Sequence, residues 1–214
     1  MKKIILVSSL ALACALPAVS HAESNTFTPA ASGSVANARL DFTVVVPSVL
    51  FLRIGTGGAV GSAAVATIDS LIFTVPSTNV GDGTSVVGTG GDLTGGAVTV
   101  RVFSNFGSNV TLNSAVTGQL LSVAGDTIPW SQIAVLPAAL GTTTAGFTNS
   151  AITHPAFSAT TGNGTATTLT AASKLVRQEG KWTFSYSNTA VVPAGTYGNT
   201  SARNGRVIYT AAQI

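Results

Sequence analysis

The residues of this 214-residue chain that could do chemistry are few, and their spacing serves it poorly. His154 is one of two histidines, the other being His21 near the N-terminus. A proline follows it directly, which suits a loop better than a ladder. A Ser-His-Asp relay needs a base held by an orienting carboxylate beside a nucleophile. Serines abound, but the Gly-x-Ser-x-Gly elbow that exposes such a nucleophile does not occur. The seven carboxylates are Glu23, Asp41, Asp69, Asp82, Asp92, Asp126 and Glu179. Glycoside hydrolysis needs two of them at a set separation across the sugar, whereas these fall at strand edges and in loops where solvation accounts for them. Asp82 and Asp92 lie in a glycine-rich stretch, yet the Asp-x-Asp-x-Asp ligand spacing for calcium is missing. Gly55-Thr-Gly57-Gly58-Ala-Val-Gly61 is close to a dinucleotide fingerprint but carries Val60 where the third glycine belongs. The expectation is a non-enzymatic chain with no catalytic residue, no cofactor and no metal.

Binding chemistry is a second possibility for the aromatic residues. Trp130, Trp182, Tyr186, Tyr197 and Tyr209 are the material of a sugar-stacking platform. Trp182, Phe184 and Tyr186 alternate with Thr183, Ser185 and Ser187, which points to core burial. Trp130, just after Pro129 and ahead of a strand, is the candidate for exposed ligand stacking. The sequons at Asn109, Asn163 and Asn199 follow from an Asn/Thr-rich composition.

The N-terminus reads as an export signal. Met1-Lys2-Lys3 is followed by an apolar run, Ile4 to Leu16, then Pro17 and the Ser20-His21-Ala22 peptidase pattern, with cleavage before Glu23. The run is shorter than the ~20 residues a membrane span needs. Acylation at Cys14 is the competing reading, on a lipobox matched only in part. Removal of residues 1–22 leaves 192 residues without cysteine, with eight basic against seven acidic side chains. Such a domain holds together without disulfides, and its weak positive charge excludes a nucleic-acid footprint. Charged residues make up 8% of the chain, so the surface must be Thr, Ser, Asn, Gly and Ala, which resists self-contact little. The expected location is periplasmic, cell-surface or extracellular, with no membrane span.

Those residues must be positioned by strands. Helical periodicity is absent, and short alternating runs of Val, Thr, Ile, Phe and Tyr are cut by Gly, Asn, Ser and Pro. Arg39–Val46 is the clearest run, with Leu40, Phe42, Val44 and Val46 on one face. It is expected to pause at Pro47 and resume over 49–54. Further strands are expected at 69–75, 97–103, 130–136, 165–170, 181–187 and 206–211. Residues 109–112 and 119–123 suit a hairpin pair, Asn204-Gly205 suits a two-residue hairpin turn, and 77–96 suits a mobile loop. The pattern predicts an all-β protein with a single antiparallel β-sandwich of roughly eight to ten strands, Ig-like or pilin-like with Greek-key connections. The divisions expected are a signal peptide at 1–22, an N-terminal extension at 23–37 and the sandwich at 38–214.

In that extension Phe27, Pro29, Ala31, Gly33 and Val35 occupy alternate positions. This makes Phe27, Ala31 and Val35 candidate strand-donor residues that add the extension to a neighbouring subunit. Ala38-Arg-Leu-Asp-Phe-Thr-Val-Val-Val-Pro47, Lys181-Trp-Thr-Phe-Ser-Tyr-Ser, Pro193-Ala-Gly-Thr-Tyr197 and Asn204-Gly-Arg-Val-Ile-Tyr-Thr210 resemble a group of exported proteobacterial β-sandwich proteins, similar in style to fimbrial subunits and other surface Ig-like domains. The resemblance covers both ends of the expected mature chain. It departs from chaperone–usher pilins in lacking their disulfide cysteines, and no functional residue carries over. It implies a cell-surface structural protein that self-associates as a homo-oligomer, with a periplasmic chaperone as a further partner. The alternative is a glycan- or ligand-binding module.

Overall fold

The computed structural model of the protein describes residues 24–214. The expected signal peptide at 1–22 lies outside the described residues. The chain divides into two units, one ending at Val46 and the other spanning Pro47–Ile214.

In the Pro47–Ile214 unit, β-branched residues in alternation form ladders, as a pleated half-buried surface favours. Helix is confined, among the described residues, to single 3-10 turns at Ser77–Asn79, Trp130–Gln132 and Ser201–Arg203. The strands are β1 (Leu50–Ile54), β2 (Leu71–Ile72), β3 (Val86–Val87), β4 (Thr89–Gly90), β5 (Ala97–Ser104), β6 (Val110–Val116), β7 (Leu120–Leu121), β8 (Thr127–Ile128), β9 (Ile133–Ala138), β10 (Thr148–Asn149), β11 (Gly162–Asn163), β12 (Thr167–Leu169), β13 (Val176–Tyr186) and β14 (Ile208–Gln213). The all-β class is therefore observed, as several sheets and no barrel.

The organising strand is β13, eleven residues long. It pairs antiparallel with β5 and β3 along one edge, and with β9 and a short parallel β10 along the other. Beyond β5, β1 completes this six-stranded sheet. In the four-stranded sheet β6 is central, with β14 on one side and β11 and β12 on the other. Both sheets feed one hydrophobic core. Val98, Val100, Val102, Trp182, Phe184 and Tyr186 come from the first, and Val110, Leu112 and Val116 from the second. The Trp182 indole N–H donates to the carbonyl of Ile152 at 2.6 Å, so the largest core side chain leaves no polar atom stranded.

Gly180 shows how closely segments press on β13. A Cβ there would stand 2.3 Å from the carbonyl oxygen of Ser150, where the chain leaves β10. Gly180→Ala is expected to lower stability by about 1–3 kcal/mol, because a backbone carbonyl rather than a flexible side chain has to move. A denaturant titration checks this, with the midpoint falling and the slope unchanged.

Several sequence expectations need correction. Arg39–Val46 carries no strand: the residues are exposed and lie outside every ladder among the described residues. Alternation makes a strand only where a second strand supplies hydrogen bonds, and only 50–54 of the expected composite strand finds one, on β5. The expected strand at 69–75 pairs only at Leu71–Ile72. Residues 119–123 do not pair with 109–112: β7 turns back on β8 through Ser122–Gly125, while β6 takes β14 as its partner. Asn204 sits in the left-handed region at φ 58°, as a hairpin turn would ask, but it caps the Ser201–Arg203 turn instead. The glycine-rich 77–96 stretch is pinned, since the Gly81 N–H donates to Asn188 Oδ1 at 2.9 Å and the Asn188 amide donates to the carbonyl of Asn79 at 2.5 Å. The short parallel β10 pair also departs from an all-antiparallel expectation.

Candidate functional site

The core is well filled where β5, β6 and β13 face one another and poorly filled beside them. Leu71, Phe73, Val86, Val192, Tyr197 and Val207 pack against it but are only partly buried. The reason is local: the 67–75 and 191–207 segments carry apolar residues yet contribute only β2 to a ladder, so they border the core without closing over it. They leave two adjoining cavities of about 570 and 590 Å³. The cavities share Leu71, Phe73, Leu120, Ile133 and Tyr197 and together form one apolar groove. Its rim includes Ile68, Ile72 and Val80, exposed at 66%, 59% and 47%. Exposed large apolar side chains clustered at a concavity mark a surface built for contact.

Polar side chains share the lining of the groove, among them Asp69, Ser70, Asn188, Asn199 and Arg206. Tyr186 lines its second half, and its buried hydroxyl has no hydrogen-bond partner among the described residues. Burial pushes its pKa up. An unpaired buried hydroxyl costs about 1–3 kcal/mol. Asp69 at the other end is already engaged, accepting from the Thr56 N–H at 2.5 Å and the Thr56 hydroxyl at 2.9 Å. Arg206 lies at the rim, exposed.

Next to the groove His154 is packed edge-on against Trp182, with ring centroids 4.5 Å apart, and against Phe157 at 4.7 Å. Its Nε2 pairs with the Tyr209 hydroxyl at 2.8 Å. Burial pushes the His154 pKa down to about 4 and the Tyr209 pKa up. No carboxylate hydrogen-bonds this imidazole among the described residues, so nothing orients it as a base. Its position is that of a core side chain whose polar end is satisfied.

The charged groups are structural clamps. Glu179 and Arg101 stand opposite each other on β13 and β5, on the sheet face turned away from the core. Arg101 Nε donates to Glu179 Oε2 at 2.7 Å, the Thr144 N–H donates to Oε1 at 2.5 Å, and a second Arg101 nitrogen donates to the Thr144 hydroxyl. Burial pushes the Glu179 pKa up, but the Thr144 donors and Arg101 outweigh it and hold it below the usual carboxylate range. Arg101 also lies over the Phe147 ring, at 5.7 Å. Together these contacts tie the 140–149 segment to the sheet. Arg53 pairs with Asp92 at 3.1 Å, whose other oxygen accepts from the Thr99 N–H. The Asp82 carboxyl is held below its ordinary pKa, chiefly by the Thr84 backbone N–H. Among the described residues no group of three or more His, Cys, Asp or Glu side chains is placed to hold a metal ion.

Trp130, singled out for exposed stacking, is buried at 6%, with its indole N–H donating to the carbonyl of Gly118 at 2.7 Å and its ring 4.9 Å from Phe157. It lines the inner wall of the groove. Phe27, Ala31 and Val35 are exposed, and a turn at Ser32–Gly33 interrupts the run that joins them. The groove itself was missed from sequence, because half-buried residues in unpaired segments carry no periodicity. No helix among the described residues is long and apolar enough to cross a membrane. Comparison with protein-family models, with curated proteins and with solved structures gives no match.

Proposed function

We propose that this chain is a non-enzymatic, exported structural protein of the cell surface that assembles with copies of itself in the manner of a fimbrial subunit, its N-terminal segment adding as a strand to a neighbour. The observation that carries this reading is the 40–46 run. Leu40, Phe42, Val44, Val45 and Val46 are exposed at 61%, 83%, 84%, 84% and 72%, in a segment with strand-forming residues and no strand partner. Burying one such side chain is worth about 1.5–3 kcal/mol. Strand addition to another copy recovers that energy and gives the backbone its hydrogen bonds. The donor set in this reading thus moves from Phe27, Ala31 and Val35 to Leu40 through Val46. The sparse charge supports close packing of copies. The architecture that fits is a single Ig-like sandwich with Greek-key connections, its two faces being the six- and four-stranded sheets. A periplasmic chaperone would serve to cover the same apolar segment before assembly.

The test compares the native chain with Phe42→Asp/Val44→Asp by size-exclusion chromatography and negative-stain microscopy. The native chain is expected to form oligomers or fibres, and the double variant to elute as a monomer with an unchanged melting temperature. A strictly monomeric native chain would end the proposal. A second reading, a ligand-binding module, draws on the aromatic wall of Trp130, Phe157, Phe184, Tyr197 and Tyr209 around the first cavity. A glycan array probes it, and saturable binding by the monomer would favour it.

A further inference from the structure

We infer that the groove between the 67–75 and 191–207 segments is a binding site for a long-chain fatty acid, its carboxylate on Arg206 and its acyl chain running from the first cavity into the second. The inference rests on the ligand-binding reading above and goes further by naming the ligand. It does not depend on assembly.

Three observations separate a fatty acid from other ligands. The first is the distribution of charge along the groove. Its first half is lined by two charged side chains, Asp69 and Arg206, and its second half, among the described residues, by none. Asp69 is already tied to the Thr56 N–H at 2.5 Å and to the Thr56 hydroxyl at 2.9 Å. Arg206 is exposed and forms no ion pair among the described residues. The groove thus offers an unengaged cation in one half and none in the other, which suits a ligand with a single anionic end. A guanidinium presents two parallel N–H donors, and a carboxylate is the group that matches them.

The second is the chemistry of the interior. The aromatic side chains of the first half meet the cavity with their polar atoms already hydrogen-bonded. The Trp130 indole N–H donates to the carbonyl of Gly118 at 2.7 Å, and the Tyr197 hydroxyl donates to the carbonyl of Pro193 at 2.7 Å. The Tyr209 hydroxyl pairs with His154 at 2.8 Å. In the second half Asn188 is engaged in the same way, accepting from the Gly81 N–H and donating to the carbonyl of Asn79. The polar side chains left over, such as Ser70, Asn199 and Thr200, are exposed. A neutral glycan laid along this groove would bury inward hydroxyls without partners, which burial penalises. An acyl chain asks for none.

The third is shape. The cavities, about 570 and 590 Å³, each fall within the ~300–1,000 Å³ of small-molecule sites. They share Leu71, Phe73, Leu120, Ile133 and Tyr197, so a flexible chain passes from one to the other. A compact ligand would fill one cavity and leave the second wet. A chain that continues into it takes the exposed surface of Ile72 and Val80 out of water as well.

Equilibrium dialysis of the full chain against labelled palmitate, kept below the concentration at which it forms micelles, tests the site. Palmitate is expected to bind saturably, and octanoate at least a hundredfold more weakly, because the shorter chain leaves the second cavity empty. Arg206→Ala is expected to weaken palmitate about tenfold. It should leave methyl palmitate, which has no charge to lose, unchanged. Ala194→Phe, at an exposed position lining the second cavity, is expected to weaken palmitate at least tenfold while octanoate changes little. Both substitutions fall at exposed positions, so an unchanged melting temperature is expected for each. Palmitate binding that neither substitution alters would overturn the inference by placing the ligand elsewhere on the protein. So would a preference for methyl palmitate over palmitate. Retention on phosphatidylglycerol vesicles that free palmitate does not displace would also overturn it, by making a membrane surface the partner. The two readings fail separately. A glycan bound saturably, with no palmitate bound, ends the fatty-acid assignment and leaves the ligand-binding reading standing, whereas a chain that binds neither removes both.

Discussion

Replacing Glu179 by alanine is expected to lower stability by about 3–5 kcal/mol, the largest loss from any single polar residue in the protein. The carboxylate is fully buried at 0% exposure, while Arg101 retains 18%. Taking one partner away leaves a guanidinium in a site that was desolvated to receive an anion. It also removes the acceptor of the Thr144 N–H, so the 140–149 segment loses its anchor to the outer face of β13. At about 2–4 °C per kcal/mol for a domain of this size, the melting temperature should fall by roughly 6–20 °C. The double variant Arg101→Met/Glu179→Leu separates two explanations. Because a buried pair offsets its own desolvation only narrowly, replacing both partners with apolar groups should recover most of the loss. If the double variant is as unstable as Glu179→Ala, the network to Thr144 carries the stability rather than the ion pair. The sign of the acid response follows from the pKa. The folded carboxyl ionises below its ordinary value, so this contribution is complete above that value and fades as the pH drops through the lowered one.

How much of this was legible in the sequence depends on what kind of signal each element leaves. β13 was plain, because Trp182, Phe184 and Tyr186 must all point inward and any one-residue slip would expose all three. β5 was plain for the same reason at Val98, Val100 and Val102. Arg39–Val46 carried an equally strong pattern and yet has no strand. Alternation reports which side chains a ladder would bury, not whether a partner for the ladder exists in the same chain. The Glu179 clamp was invisible: the acid looked solvated among polar neighbours, and its burial depends on a segment some 35 residues earlier folding over it. Trp130 was placed outside on the strength of Pro129, but Gly118 offers its carbonyl from the turn between β6 and β7. Long-range pairings of that kind, with one polar atom answering another across the fold, leave no local trace. The groove left none for the complementary reason, since it exists where pairing is missing.

Lowering the pH from 7 to 4 is expected to remove about 3 kcal/mol of stability through one residue, His154. In the unfolded chain its imidazole takes a proton near 6.5, whereas in the fold desolvation among Trp182, Phe157, Phe184 and Tyr209 delays protonation to about 4. Between those values the unfolded state binds more protons than the folded one, so stability falls as pH falls. The contribution is complete above 6.5 and exhausted near 4. That window opens well above the one in which Glu179 loses its charge, so the upper part of one pH series reports His154 alone of the two. Chemical denaturation at half-unit steps should show a slope in the His154 window for the native chain. His154→Gln should flatten that slope while keeping a hydrogen-bonding group toward the Tyr209 hydroxyl. A slope that survives the substitution would assign the acid response to the carboxylates instead. The consequence reaches the groove, because Tyr209 lines its first cavity and its hydroxyl pairs with the same imidazole. A proton forced onto His154 leaves Nε2 able only to donate, fixing the Tyr209 hydroxyl as acceptor and placing a charge behind Phe157, Phe184 and Tyr209, which line the first cavity. Mild acid is therefore expected to loosen the fold first at this wall, before the domain as a whole unfolds.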